Sequence, residues 1–289
     1  MIKQCMTTQV YAVSAGEPIS RARNLMLKHD IGRLIVIGEK NNPVGIVTKK
    51  DITKRLSQAE PTWRRRPIDN IPVSLVMTGD LLNIHQEATV AQAAEIMLEN
   101  EISGLPVIKK DKNDEKLVGI ITKHDLIRHY STKEYIIKVK DVMDRYVVTV
   151  NIHHTINHAL YEMNENDVNV IVVLTEGNKP AGMISKDNLA FTELTDSNGN
   201  VYGREVKMAR KDVAAGMKKY RYIREMPLVA EDVMTPLNKT ITSNEKVVDA
   251  AKIMSTTGTK SLIVIDDEIE IVGILHSDNI LNEIKNKRN

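Results

Sequence analysis

The sequence has one cysteine and few aromatic residues. Cys5 is the only cysteine among 289 residues, which excludes an internal disulfide and favours a reducing, cytoplasmic compartment. Aromatic residues account for 3% of the chain, with a single Trp and a single Phe. Because proteins that bind single-stranded nucleic acid usually stack bases on several aromatic side chains, nucleic-acid binding is not favoured.

The sequence also lacks long apolar runs and a strong net charge. Apolar segments such as LIVI at 34–37 and VIVVL at 170–174 are too short to span a bilayer, and residues 1–10 contain no apolar stretch of signal-peptide length. The net charge of +2 creates no global field that would attract nucleic acid or a membrane surface. We therefore expect a soluble, cytoplasmic protein without a membrane partner.

None of the common catalytic signatures is present. GNKPAG at 177–182 has the glycine spacing of a phosphate-binding P-loop, but Met183 follows it where the motif requires lysine. His154 and His158 have the i, i+4 spacing of metal ligands, yet no carboxylate or cysteine completes a set. We therefore expect a non-enzymatic protein that holds no metal ion.

The sequence does contain a fourfold internal repeat. One seven-residue phrase occurs as GIVTKKD at 45–51, GIITKHD at 119–125, GMISKDN at 182–188 and GILHSDN at 273–279. A methionine precedes each phrase glycine by 39, 42, 39 and 39 residues, at Met6, Met77, Met143 and Met234. An Ala-x-x-x-Met pair lies between them, and its methionine follows the first by 20 residues in every copy. Such a regular spacing indicates four copies of one structural unit.

Each copy has the pattern of a mixed α/β unit. In copy one, residues 17–30 carry apolar positions at helical spacing, and residues 49–57 also read as a helix. Residues 33–38 and 43–48 are short apolar runs bounded by turn residues, which predicts two strands. With a short leading strand, the unit is β-α-β-β-α. Its strands are apolar throughout, as expected for a small sheet covered on both faces.

The copies divide the chain into two predicted domains, 1–132 and 133–289. The four copies span about 1–60, 73–131, 137–194 and 228–289. A linker at 58–72 joins the first two copies, and an insertion at 195–227 separates the last two. Within this insertion, residues 204–225 have an apolar stripe on a basic face, which predicts a helix.

The end of the repeated phrase is a candidate binding site. Two copies fit a helix capping box, an ordinary structural role: Thr48 with Asp51, and Thr122 with Asp125. In the other two copies asparagine replaces the aspartate, at Asn188 and Asn279, although the apolar pattern of the second helix continues. The helix evidently forms without the carboxylate, which leaves Asp51 and Asp125 available for another role.

A nucleoside phosphate suits the groups that the phrase supplies. A carboxylate accepts hydrogen bonds from both hydroxyls of a ribose cis-diol, and hydrogen bonds to a charged acceptor contribute roughly 1.5–3 kcal/mol. The Thr hydroxyl and the N–H groups at a helix start suit a phosphate. Gly45 and Gly119 would let the backbone approach a ligand closely.

The four motifs resemble the cystathionine β-synthase (CBS) domain family. Residues 101–127, with ISGLPVI followed by VGIITKHDLI, are close to the family pattern. The resemblance covers nearly the whole chain except 58–72 and 191–230. It implies copies paired into two Bateman modules, as in the gamma subunit of AMP-activated kinase and its free-standing prokaryotic relatives, which form a disc. The implied ligands are AMP, ADP or ATP, and in some members S-adenosylmethionine.

The resemblance also implies roles for individual residues. By the family motif, Asp51 and Asp125 would hold ribose, and Thr48 and Thr122 would reach a phosphate. The base pocket would be lined by the residues before the central strand, Ile31, Gly32, Ile102 and Ser103. Arg33 stands where kinase-subunit relatives carry a basic residue that reaches phosphate. Copies three and four, with Ser185, Asn188 and Asn279, depart from the motif and are weaker candidates.

The expected function is therefore that of a nucleotide sensor that regulates an unidentified protein. Because such modules stack, we also expect a homodimer. The alternative function is that of an interaction scaffold, which binds protein partners and no small ligand. A third alternative is a regulator that binds RNA or DNA through WRRRP at 63–67 and the basic segment 204–224. A solvated linker explains the arginines of WRRRP better, whereas a solvated helix and a docking surface explain the basic segment equally well.

Overall fold

The computed structural model describes residues 1–29, 31–38, 42–49, 51–52, 55, 70–79, 81–111, 114–186, 203–208 and 222–287. The WRRRP segment and Asn188 lie outside these residues. No helix in the described ranges is long and apolar enough to cross a membrane. The fold is the predicted mixed α/β repeat, with four copies of one small sheet and its helices.

Copy one shows the plan of the repeat. Its elements are Ala12–Ser14 (β1), Ile19–Lys28 (α1), Arg33–Ile37 (β2) and Pro43–Thr48 (β3). The leading strand pairs in parallel with the central strand β2, and β2 pairs antiparallel with β3. Residues 49, 51, 52 and 55 are helical, which agrees with the predicted second helix.

Copies two and three follow the same plan. Copy two contains Ile84–His85 (β4), Val90–Glu99 (α2), Gly104–Asp111 (β5), Asp114–Thr122 (β6) and Lys123–Tyr130 (α3). Copy three contains Thr149–Asn151 (β7), Ile156–Glu165 (α4), Val170–Leu174 (β8) and Pro180–Ser185 (β9). The extra charged residues of copy two lengthen the β5–β6 hairpin, whose pairing continues to Asp111 and Asp114.

The insertion before copy four contains strands where the structure describes it, so the helix predicted at 204–225 is wrong for residues 204–208 and 222–225. Residues 209–221 lie outside the described residues. Gly203–Met208 (β10) and Tyr222–Pro227 (β11) pair antiparallel from Gly203 with Pro227 to Met208 with Tyr222. Short segments that contain Val, Ile and Tyr fit a strand as well as a helix by periodicity. Pairing with a distant segment decides between them, and the spacing of apolar residues does not reveal that partner.

Copy four completes the series. Its elements are Ala230–Val233 (α5), Thr235–Pro236 (β12), Thr240–Thr242 (β13), Val247–Thr257 (α6), Ser261–Ile265 (β14), Ile271–His276 (β15) and Ser277–Asn286 (α7). Strand β12 leaves this copy and pairs with β9 of copy three, which makes that sheet four-stranded. The sheet of copy four itself has the order β13-β14-β15.

The Ala-x-x-x-Met pairs form the buried face of the first helix in every copy. Each Ala and Met is at most 1% exposed: Ala22 and Met26, Ala93 and Met97, Ala159 and Met163, Ala250 and Met254. Residues four apart lie on one helix face, so alanine allows a close approach to the sheet while methionine fills the remaining space. Burial of a large apolar side chain contributes about 1.5–3 kcal/mol.

The opening segment of each copy packs on the sheet of another copy. Thr7 exchanges backbone hydrogen bonds of 2.9 Å with Ile120, and Thr78 bonds Ile46 in the same way at 2.9 and 3.0 Å. The corresponding pairs farther along the chain are Asp144 with Ile274, and Thr235 with Met183. Copies one and two therefore exchange their opening segments, and so do copies three and four.

This exchange corrects the interpretation of the phrase glycines. A Cβ atom at Gly119 would lie 2.8 Å from the carbonyl oxygen of Thr7 and 2.9 Å from the sulfur of Met6. A Cβ at Gly45 would meet Thr78 and Met77 at the same distances. The space above each glycine holds the exchanged methionine and not a ligand.

The described residues group into two compact units. The first contains residues of 1–147 and 239–287, and the second contains residues of 148–238. In the first unit α2 packs against α7 and α3 against α6, so the helices of copies two and four share one apolar core. The predicted division into domains 1–132 and 133–289 follows the pairing of copies and stays a prediction.

Candidate functional site

The phrase of copy two forms the capping box that its sequence predicts. The backbone N–H and the hydroxyl of Thr122 donate to Oδ2 of Asp125 at 3.0 and 2.7 Å. The Thr122 hydroxyl accepts from the Asp125 N–H at 3.2 Å. The box fixes the start of α3 and the position of this carboxylate at the end of β6.

The carboxylate of Asp125 has two further partners. Arg128 donates to its Oδ1 at 2.7 Å, and the hydroxyl of Thr7, from the exchanged opening segment, donates at 3.4 Å. Asp125 is 3% exposed. Both oxygens are therefore engaged, and a ribose could reach this carboxylate only if Arg128 or Thr7 released it.

The phrase of copy one forms the same box with a more open carboxylate. The N–H and hydroxyl of Thr48 donate to Oδ2 of Asp51 at 2.8 and 2.7 Å, and the Asp51 N–H donates back at 3.2 Å. Asp51 is half-buried. Thr48 is the only described residue with a recorded hydrogen bond to this carboxylate, which contrasts with the crowded position of Asp125.

Arg33 connects the two copies. It begins β2 in copy one, and its Nη2 donates to the hydroxyl of Ser103 in copy two at 3.0 Å. Its Nη1 occupies the space where a Cβ at residue 104 would stand, so the guanidinium would have to move if residue 104 carried a side chain. Burial lowers the pKa of Arg33, and the negative charge of Asp125 opposes that change. The structure thus brings Arg33 into contact with Ser103 and within electrostatic range of Asp125.

The remaining candidates of the first two copies flank these groups. Ile31 and Ile102 are half-buried and pack against the cores of their copies. The carbonyl of Gly32 accepts from the Lys49 N–H at 2.9 Å, and the carbonyl of Ser103 accepts from the Lys123 N–H at 3.1 Å. In both copies, the residue before the central strand is therefore fixed to the start of the second helix.

Copy four contains a polar cluster that the sequence analysis missed. Oδ1 of Asn279 accepts from the His276 N–H at 2.6 Å, so this asparagine keeps the capping role. Its Nδ2 lies 3.4 Å from both carboxylate oxygens of Asp144. The ring of His276 bonds the hydroxyl of Ser261 through Nδ1 at 2.8 Å, and Nε2 lies 3.8 Å from Asp144.

A sequence signal for Asp144 exists, although it is slight. The residue after the first methionine is Thr7, Thr78 and Thr235 in three copies, and it is aspartate only after Met143. That change has meaning only beside Asn279, 135 residues away, where asparagine replaces the phrase aspartate. The backbone pairing of Asp144 with Ile274 brings the two positions together.

Copy three gives less information about its candidates. Ser185 is half-buried at the end of β9, and Asn188 lies outside the described residues. The rings of His154 and His158 meet edge to face at 4.6 Å. In the described ranges, no group of three or more His, Cys, Asp or Glu side chains could hold a metal ion.

Comparisons with known proteins identify the family of this chain. A family model described as CBS domain matches residues 2–58, 73–132, 139–192 and 229–286. An uncharacterized protein of Methanocaldococcus jannaschii is 28% identical over 213 residues, which are 70% of this chain and 46% of that protein. An uncharacterized 17.7 kDa protein of Acidianus ambivalens is 38% identical over 127 residues, 44% of this chain and 71% of that protein.

A solved structure matches the chain along its length. It is a protein of Methanocaldococcus jannaschii presented as a candidate archaeal homolog of g-AMPK, with 20% identity and a TM-score of 0.68. The match covers 98% of this chain and 99% of that protein. At this identity the likeness shows a shared fold. By contrast, the chain spans less than half the length of its first-mentioned sequence relative.

Proposed function

Because the chain belongs to the CBS domain family, we propose that it is a non-enzymatic regulatory sensor that binds AMP, ADP or ATP. The observation that carries this proposal is the hydrogen bond of Arg33 in copy one to Ser103 in copy two, within electrostatic range of Asp125. A guanidinium held between two repeats by one hydroxyl can exchange that partner for a phosphate, with which it forms stronger, charge-assisted hydrogen bonds.

Asp51 is the proposed ribose-binding group of copy one. Asp51 is half-buried, and Thr48 fixes the orientation of its carboxylate, so little side-chain entropy remains to be lost on binding. Ile31 and Gly32 would contact the base. Arg33 adds a positive charge nearby, which favours a phosphorylated ligand over the cationic sulfonium of S-adenosylmethionine.

Asp125 would act as the responsive group. A ligand hydroxyl that reaches it must displace Arg128 or the hydroxyl of Thr7, and Thr7 belongs to the exchanged opening segment. A bound ligand would therefore favour a different position of that segment and shift the population of conformations that a partner protein recognises. The identity of this partner, and a homodimer of the chain, stay predictions.

Calorimetric titration with AMP, ADP, ATP and S-adenosylmethionine tests the proposal. Asp51→Ala should weaken nucleotide binding about 10-fold or more, since it removes hydrogen bonds to a charged acceptor. Arg33→Met should weaken ATP binding more than adenosine binding. Asp267→Ala, in an exposed turn of copy four, is the matched control. Unchanged affinity in both Asp51→Ala and Arg33→Met would reject the proposed site.

A scaffold without a ligand is the second candidate function. It is favoured by the fully engaged carboxylate of Asp125, which a purely structural cap would also show. The same titration separates the two functions, since a scaffold would bind none of the four compounds. Asp125→Asn would then lower only the melting temperature.

A further inference from the structure

We propose that Asp144 is the ribose-binding carboxylate of copy four, supplied by the opening segment of copy three. This inference rests on the proposed nucleotide-binding function and extends it to a copy whose phrase has lost its aspartate. It assigns a binding role to a residue outside the repeated phrase.

Copies two and four exchange hydrogen-bonding roles between two equivalent positions. In copy two the exchanged segment supplies a donor, the hydroxyl of Thr7, and the phrase supplies the acceptor, Asp125. In copy four the exchanged segment supplies the acceptor, Asp144, and the phrase supplies the donor, the amide of Asn279. Both pairs meet at 3.4 Å. One carboxylate is therefore kept at this junction, although its origin in the chain changes.

The carboxylate of Asp144 is accessible to solvent. The side chain of Asp144 is 53% exposed, whereas that of Asp125 is 5% exposed. Its backbone is nevertheless fixed, because Asp144 and Ile274 exchange two hydrogen bonds of 2.9 Å. A carboxylate that is open to solvent but whose backbone is bonded to strand β15 suits ligand binding better than the buried Asp125 does.

The neighbours of Asp144 contact its carboxylate without neutralising its charge. Ser261 and His276 are joined at 2.8 Å; with the Ser261 hydroxyl as the donor to Nδ1, the remaining proton of a neutral ring lies on Nε2, which faces Asp144. Burial lowers the pKa of His276, and Asp144 and Asp278 oppose this effect. The amide of Asn279 is neutral as well. By contrast, Arg128 forms a salt bridge with Asp125 at 2.7 Å.

The order Ser261, His276, Asp144 resembles a catalytic triad. The geometry instead indicates that Ser261 and His276 position the carboxylate of Asp144. Ser261 is 5% exposed, so a substrate cannot reach its hydroxyl. The serine instead fixes the ring of His276, whose Nε2 lies 3.8 Å from the carboxylate of Asp144. An accessible carboxylate with its free lone pairs toward solvent suits a ligand with two adjacent hydroxyl donors, such as the cis-diol of a nucleoside.

The experiment is calorimetric titration of the full chain with AMP and with 2′-deoxy-AMP. Asp144→Asn should abolish one binding event or weaken it about 10- to 100-fold, because the charged acceptor is lost. The loss of affinity caused by removing the 2′-hydroxyl should be smaller in this variant than in the wild type. Asp267→Asn, with an exposed turn carboxylate in the same unit, is the charge-matched control.

A double variant makes the test independent of folding defects. Asp144→Thr combined with Asn279→Asp installs the arrangement of copy two in copy four and should restore the binding event lost in Asp144→Thr alone. If the Asp144 variants bind like the wild type while Asp51→Ala loses affinity, this inference is wrong and the proposed function stands. If the wild type binds neither nucleotide, both fail.

Discussion

At the scale of single residues, the capping boxes show how one side chain can serve both structure and binding. Thr48 and Asp51 satisfy backbone groups at a helix start, yet one carboxylate oxygen of Asp51 has no recorded partner among the described residues. Asp125 forms the same box and has both oxygens engaged. Two residues with one local sequence motif therefore differ in what they can bind, and the difference comes from Arg128 and Thr7.

Gly119 provides a prediction about close packing. In Gly119→Ala the new methyl group would meet the Thr7 carbonyl at 2.8 Å and the Met6 sulfur at 2.9 Å, so we expect a loss of about 1–3 kcal/mol in the free energy of unfolding. Urea denaturation measures it. Gly79→Ala is the control, since a Cβ there has no neighbour within 4 Å. Equal stability of the two variants would contradict the packing of Met6 on Gly119.

At the scale of elements, the first helix of each copy buries one face in the core of that copy. The second helix of copies two and four extends the core to the other copy. The Ala-x-x-x-Met face of α1, α2, α4 and α6 is buried in every copy. In copies two and four, helices α3 and α7 extend this core to the helices of the other copy. The buried residues there are mainly aliphatic, with Tyr130 as the aromatic exception. This shared helix surface joins two copies that are distant in the sequence.

Met254 tests the contribution of that shared core. It is 1% exposed on α6, so Met254→Ala should lower the free energy of unfolding by about 2–5 kcal/mol through lost burial and a residual cavity. Leu27→Ala, on the same type of helix but 59% exposed, should change it by less than about 0.5 kcal/mol. Chemical denaturation of both variants checks the difference, and a similar small loss in each would argue against the shared core.

At the scale of the whole molecule, the exchanged opening segments make the four copies interdependent. Each copy lacks a part that another copy supplies: Met6 and Thr7 complete copy two, whereas Met143 and Asp144 complete copy four. A repeat excised at its sequence boundaries would lose these contacts. The segments also lie beside the candidate carboxylates, so a ligand at one copy can influence the chain that leads into another.

The stability of the whole chain should depend on pH through His276. Burial lowers the pKa of this histidine from 6.5 in the folded state, so the unfolded chain binds the proton more readily. Stability should therefore decrease as pH falls from about 7.5 to about 5.5. In His276→Gln part of this decrease should disappear, as measured by urea denaturation at each pH. The control is His124→Gln, at an exposed position of α3; equal pH slopes in both variants would contradict the role of His276.

Much of the fold could be predicted from the sequence because the information is local and repeated. The Ala-x-x-x-Met spacing places two buried side chains on one helix face, and the short apolar runs form the central and third strands in all four copies. The capping boxes of Thr48 and Thr122 also depend on residues three apart. The segments 204–208 and 222–225 were predicted incorrectly, because strand pairing across the insertion is not encoded in the spacing of its apolar residues.

The sequence alone determined the repeat, its α/β plan and the capping role of the phrase, because each depends on spacing along one short segment. Only the tertiary structure decided which copy each opening methionine covers, that Arg33 meets Ser103, and that Asp144 stands beside Asn279. These contacts join residues 32 to 135 positions apart, from Met77 on Gly45 to Asp144 beside Asn279. They depend on how complete sheets exchange segments, and no local pattern of side chains specifies such an exchange.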